Sequence, residues 1–145
     1  MLPNLFCLGA PKAGSSYLFS ILSQHADIYP GITKEHMFFR KSDDEIAREI
    51  INYELTNFGD YKGQKFILDG SPGYLHHADP RKIREYVGEN SRMIIVIRNP
   101  ARRSFSEYHH SARAFVENRT FLDVVRDKTT IIYSRSLYSD CIKRY

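Results

Sequence analysis

An apolar run near the start, Leu5-Phe6-Cys7-Leu8, shows no alternation and stops at Gly9. A short run that is apolar at every position predicts a strand buried on both faces, as in a parallel sheet. Two further runs read the same way. Lys65-Phe66-Ile67-Leu68-Asp69 enters a Gly-Ser-Pro-Gly loop, and residues 91–98, centred on Met93-Ile94-Ile95-Val96-Ile97, give the strongest strand pattern. Between the strands the apolar spacing changes to that of helices. Residues 15–25 place Leu18, Ile21 and Leu22 on one face, and residues 43–57 place Ile46, Ile50 and then Tyr53 or Glu54 one turn on. Asp43 and Asp44 favour the start of the second helix, where the macrodipole is positive. Asp79-Pro80 opens a short helix to about residue 87, closed by Gly88. Pro100 opens a longer one to about residue 118, open to a break near its middle. Thr120 caps a short helix through residue 127, and a last helix begins at Ser136. Residues 28–39 follow no period.

Strands alternating with helices predict an α/β fold with a parallel sheet and right-handed crossovers. A chain of 145 residues suits one domain, spanning 1–145. Ligands of such sheets bind at the carboxyl ends of the strands, and two strand ends here carry chemistry. After the first comes Gly9-Ala10-Pro11-Lys12-Ala13-Gly14-Ser15-Ser16. A tight turn with one lysine and two hydroxyls, followed by a helix, cradles an anion on backbone N–H groups. Gly9 to Gly14 fits the G-x-x-x-x-G frame of a nucleotide P-loop. Ser15, however, stands where that loop needs lysine, and the lysine sits inside the turn at Lys12. At the second strand end Arg98 precedes Asn99-Pro100, with Ser106 on the following helix. An arginine and a hydroxyl placed this way grip a second phosphate.

Taken together, residues 11–16 and 98–108 resemble the PAPS-dependent sulfotransferases. That family carries P-K-x-G-[ST]-[ST] at the 5′-phosphosulfate and R-[ND]-P-x-x-R-x-x-S-x-Y at the 3′-phosphate, and both stand here with those spacings. Lys34-Glu35-His36-Met37-Phe38-Phe39 resembles the K-E-x-x-F-F segment of the glycan (heparan sulfate) branch. Asp69-Gly70-Ser71-Pro72-Gly73-Tyr74-Leu75 resembles its E-K-S-P-x-Y-F segment, with Gly70 in place of the lysine. Ser136-Leu137-Tyr138-Ser139-Asp140 with Lys143-Arg144-Tyr145 resembles the start of a later helix. The resemblance implies a three-layer α/β/α, P-loop NTPase-like sulfotransferase fold. It also implies C-terminal truncation, because family members continue into a Gly- and Lys/Arg-rich loop over the 3′-phosphate and adenine.

The implied reaction moves a sulfuryl group from PAPS to a hydroxyl or amine of an acceptor, leaving PAP and needing no metal. Residues 11–16 (Pro11, Lys12, Ala13, Gly14, Ser15, Ser16) bind the 5′ side of the cofactor, and Arg98 and Ser106 its 3′-phosphate. Lys12 meets the leaving phosphate. Glu35 is the candidate general base, with His36 its rival because imidazole titrates near neutrality. Lys34, Ser71 and Tyr74 are the acceptor-side candidates, and Lys34 is also a candidate to supply the cation missing at Gly70. Arg103 is set down for a structural ion pair, and Arg102 for solvent. Two further readings stay open. One is a truncated, weakly active or inactive PAP- or PAPS-binding protein. The other is a P-loop kinase or NTPase, which Ser15 argues against although Asp69 ends a strand.

Composition narrows the partners. The net charge of +4 suits an anionic ligand, but no dense basic run marks a nucleic-acid binder. Cys7 and Cys141 make no disulfide framework, and the histidine pairs at 76–77 and 109–110 lack the company of a metal site. No basic-then-apolar leader precedes the first strand, and no apolar stretch approaches the ~20 residues of a membrane span. The expectation is a cytoplasmic protein. The Golgi lumen, where animal glycan-modifying members of the family usually work, applies only if the chain is a fragment. The acceptor is a hydroxyl- or amine-bearing molecule, with a glycan among the candidates, and the pattern does not fix an oligomeric state.

Overall fold

Leu5–Gly9 forms β1, and all five residues are buried, as an unbroken apolar run requires. The computed structural model describes residues 1–145, which fall into two compact units, Met1–Val96 and Ile97–Tyr145. In the first unit β1 is followed by α1 (Ser15–Leu22), β2 (Ile28–Tyr29), a 3-10 turn (Phe38–Arg40) and α2 (Asp43–Phe58). Then come β3 (Phe66–Asp69), α3 (Tyr74–His77), α4 (Pro80–Val87) and β4 (Arg92–Ile95). The four strands form one sheet in the order β2-β3-β1-β4, and every pair is parallel. Leu5 lies opposite both Leu68 and Arg92.

Successive side chains of β1 point to opposite faces, and each face has its own cover. Leu5, Cys7 and Leu68 pack under Leu18, Phe19 and Leu22 of α1. Phe6 points the other way, with the rings of Phe39 at 6.0 Å and Tyr74 at 6.5 Å. The sequence places Ile21 on the buried face of α1, but Ile21 is exposed and Phe19 takes the position. Both choices have helical spacing, and the larger ring removes more apolar area from water.

Caps set most helix limits. Ser42 and Glu45 form a capping box at the start of α2. Asp79 accepts from the Arg81 N–H, and Pro80 starts α4. β4 is shorter than the pattern predicts. Its register slips between Cys7 and Gly9, after which Ala10 and Val96 still exchange bonds with the partner strand end (Ala10 N to Val96 O, 2.6 Å; Val96 N to Gly9 O, 2.7 Å). β2, two residues long, is too short to leave a period, so the sequence reads it as irregular.

The second unit holds α5 (Pro100–Arg113), α6 (Phe121–Arg126), α7 (Ile131–Ser134) and α8 (Ser139–Ile142). Asn99, Thr120 and Thr130 cap the first three. α5 ends before the predicted residue 118, where Phe115 turns left-handed (φ 56°). Ser136 does not start a helix. It is buried, and its Oγ accepts from Arg103 Nε at 2.7 Å. Arg103 is fully buried and also bonds Glu107 (3.1 Å) and the Ile132 carbonyl (2.7 Å). The core of this unit is therefore partly ionic. No helix in either unit is long and apolar enough to cross a membrane.

Candidate functional site

The loop after β1 is set by its backbone. Ala13 N–H bonds the Ala10 carbonyl at 3.1 Å and closes the turn. Lys12 sits in left-handed backbone, φ 63°, a conformation that side-chain-bearing residues adopt rarely. Gly14, φ 103°, is the N-cap of α1 and has no side chain to cap it. The N–H groups of the first turn have no partner within the helix, the arrangement by which helix starts receive anions. A Cβ at Gly9 would run into the Pro72 carbonyl oxygen and meet Leu75 Cβ at 3.1 Å. The anion loop thus lies directly against the segment after β3.

Lys34 joins this loop to the candidate base. Its Nζ donates to Ser16 Oγ at 3.0 Å and pairs with the Glu35 carboxylate. Its backbone carbonyl accepts from Gly70 N–H at 3.1 Å. A Cβ at Gly70 would run into the Phe19 ring and come within 3.2 Å of Lys34 Cγ. The Lys34 stem therefore lies over the place where a side chain at position 70 would begin. Ser16, Lys34 and Glu35, singled out separately in the sequence, are brought together.

His36 is different from its neighbour. Its ring meets Tyr53 and Phe58 edge-on, both at 5.3 Å. Burial without a counter-charge lowers its pKa to about 4. Its Nε2 is buried with no hydrogen-bond partner. Met37, next along, is also left-handed (φ 54°).

Ser71 and Tyr74 do not face an acceptor, as the sequence reading expects. Both are fully buried, because their hydroxyls serve Asp69. Ser71 Oγ donates to Asp69 Oδ1 at 2.5 Å, and Tyr74 and Tyr53 donate to Oδ2 at 3.0 Å each. The same two hydroxyls accept from the base-carrying loop, Ser71 from Met37 N–H (3.0 Å) and Tyr74 from Phe39 N–H (3.3 Å). Desolvation of the fully enclosed carboxyl outweighs these donors and raises the Asp69 pKa to about 6. The sequence shows Asp69 ending a strand but not this hub, since Tyr53 comes from a separate helix. A carboxylate so enclosed cannot face a nucleotide-bound metal, as the NTPase reading needs.

In the second unit Arg98 is exposed, beyond the end of β4, and its carbonyl accepts from Tyr138 Oη at 3.0 Å. Ser106 is half-buried on α5. Arg102 is exposed, and Arg103 is engaged in the buried pair with Glu107. Tyr108 donates to the Arg119 carbonyl at 2.9 Å and steadies the turn after α5.

Residues 2–145 match the sulfotransferase domain family. The chain is 26% identical over 122 residues to the membrane-associated sulfotransferase kil1 of Dictyostelium discoideum, a match covering 82% of this chain and 25% of that protein. It thus spans about a quarter of that relative's length. The crystal structure of a sulfotransferase from Alicyclobacillus acidocaldarius matches with a TM-score of 0.81 and 27% identity, over 100% of this chain and 68% of that one. The α/β fold with a parallel sheet, expected from the sequence, is the fold of that enzyme.

Proposed function

Because the chain belongs to the sulfotransferase domain family, we propose that it moves a sulfuryl group from PAPS to a hydroxyl or amine of a carbohydrate-like acceptor, leaving PAP. The observation that carries this reading is the single lysine, Lys34, bonded to both Ser16 of the anion loop and the Glu35 carboxylate. It puts a phosphate cradle and a proton acceptor side by side. Glu35 takes the acceptor proton, the freed oxygen or nitrogen attacks sulfur, and the bond from sulfur to the phosphate oxygen of PAP breaks. Chemistry of this kind is mostly positioning and charge neutralisation. Lys12 and the N–H groups of residues 14–16 neutralise the leaving phosphate, and Arg98 and Ser106 hold the 3′-phosphate. Lys34 supplies the cation that the family carries at the position of Gly70. Glu35 is preferred to His36 because its carboxylate is exposed and held by Lys34 beside Ser16, whereas the His36 ring is packed edge-on against Tyr53 and Phe58.

Calorimetric titration with PAP, and with AMP as control, tests the paired phosphate sites. PAP is expected to bind well above AMP. Equal binding would overturn the assignment of a 3′-phosphate site. Incubation with PAPS and an acceptor panel then tests transfer, and PAP binding without transfer to any acceptor would leave a cofactor-binding protein.

A further inference from the structure

Beside Glu35 the surface opens into a cavity of about 300 Å³. Thr33, Glu35 and His36 line it, together with Asn52 and Thr56 of α2. Phe38 and Tyr53 also line it, their rings stacked 4.0 Å apart and within 2° of parallel. The volume is at the small end of the ~300–1,000 Å³ range of ligand sites, room for one ring-sized group.

The lining selects by charge. Lys41 lines the cavity but is paired with Glu49, also of the lining, and lies over the Phe38 ring. Glu35 is paired with Lys34. No unmatched cation faces inward, so an anionic group gains nothing to offset its loss of water. His36 is uncharged at neutral pH. A buried polar atom with no partner is costly, and its Nε2 is one. Whichever ring nitrogen carries the proton, a hydroxyl or secondary amide complements it, because each both donates and accepts. Asn52 and Thr33 extend the same two-way bonding, and Thr56 Oγ1, whose proton goes to the Asn52 carbonyl at 2.7 Å, adds an acceptor.

We propose that this cavity seats one neutral, hydroxyl- and amide-bearing ring of the acceptor and rejects anionic rings. The inference rests on Glu35 as the base, since a ring seated against His36 presents a neighbouring hydroxyl to Glu35.

The test is a nuclear magnetic resonance titration of the full chain, following the His36 ring and the Asn52 side-chain amide. N-acetylglucosamine is the neutral probe and glucose 6-sulfate the anionic one. N-acetylglucosamine is expected to shift both signals saturably, with glucose 6-sulfate binding about tenfold more weakly or not at all. Asn52→Leu and Thr56→Val each remove wall bonding from exposed positions on α2, so the fold tolerates them. Each should weaken the neutral sugar by roughly three- to tenfold, the His36 signal serving as the readout in both. No saturable shift, equal binding of the sulfated sugar, or indifference to both variants would overturn the proposal. PAP is titrated into the same samples. PAP binding without a sugar response sinks the cavity alone, and a sugar response without PAP binding sinks the transfer reading alone.

Discussion

Glu35 and His36 are adjacent in the chain, yet one is exposed and paired with Lys34 and the other is held neutral by burial. Glu35→Gln keeps the shape and removes the proton acceptor, so turnover should fall by about 10²–10⁴-fold while PAP affinity stays unchanged. Retained turnover in a radiolabel transfer assay would move the base elsewhere. Asp69 makes a prediction about pH. Its pKa rises from 3.8 to about 6 on folding. The folded state therefore keeps a proton that the unfolded state has released between those values. This contribution to stability is complete below pH 3.8 and is lost as pH rises through 6, a change of about 3 kcal/mol. Asp69→Asn cannot titrate. Denaturant unfolding across that window should show a flatter dependence on pH for the variant than for the parent, and equal slopes would refute the assignment.

The segment that carries Glu35 has little regular structure of its own. Met37 N–H on Ser71 and Phe39 N–H on Tyr74 tie it to the segment after β3, and Asp69 fixes both hydroxyls from below. Tyr74→Phe leaves the buried Phe39 N–H unmatched, a cost of about 1–3 kcal/mol. Amide exchange at Phe39 should quicken, and kcat should drop while PAP affinity holds. Unchanged exchange would show that the loop is held by other means. Here the limits of the sequence are plain. Apolar runs announced β1, β3 and β4, and Asp79-Pro80, Asn99-Pro100 and Thr120 announced three helix starts, because burial and capping are local and leave local marks. The anion loop and the Lys34-Glu35 block were legible as motifs. Ser71 and Tyr74 were visible too, but pattern alone does not tell which polar group is buried against which. The bond from Tyr53 to Asp69 joins a helix to a strand 16 residues away. β2 and α7 are too short to show a period.

The two units are built on different physics. The first has an apolar sheet core with one buried carboxyl, Asp69, among three hydroxyls. The second closes around Arg103, Glu107, Ser104 and Ser136, all buried. Arg103→Met leaves Glu107 enclosed with only Arg135 nearby, at 3.9 Å. It should cost about 3–5 kcal/mol, seen as lost amide protection along α5. Adding Glu107→Leu should restore most of it, since a buried pair is replaceable by apolar groups where a lone charge is not. The place of β1 in the first unit has a consequence in time. Its two neighbours are reached only at Leu68 and Arg92. With translation at about 5–20 residues per second, Leu5 leaves the ribosome roughly 4–17 s before the residue that flanks it on its second side. Throughout that interval a Leu-Phe-Cys-Leu run is unpaired along one edge, as an aggregation-prone segment is. The strand that carries the phosphate loop is among the first parts of this unit to be made, and its second edge is among the last to be sheltered.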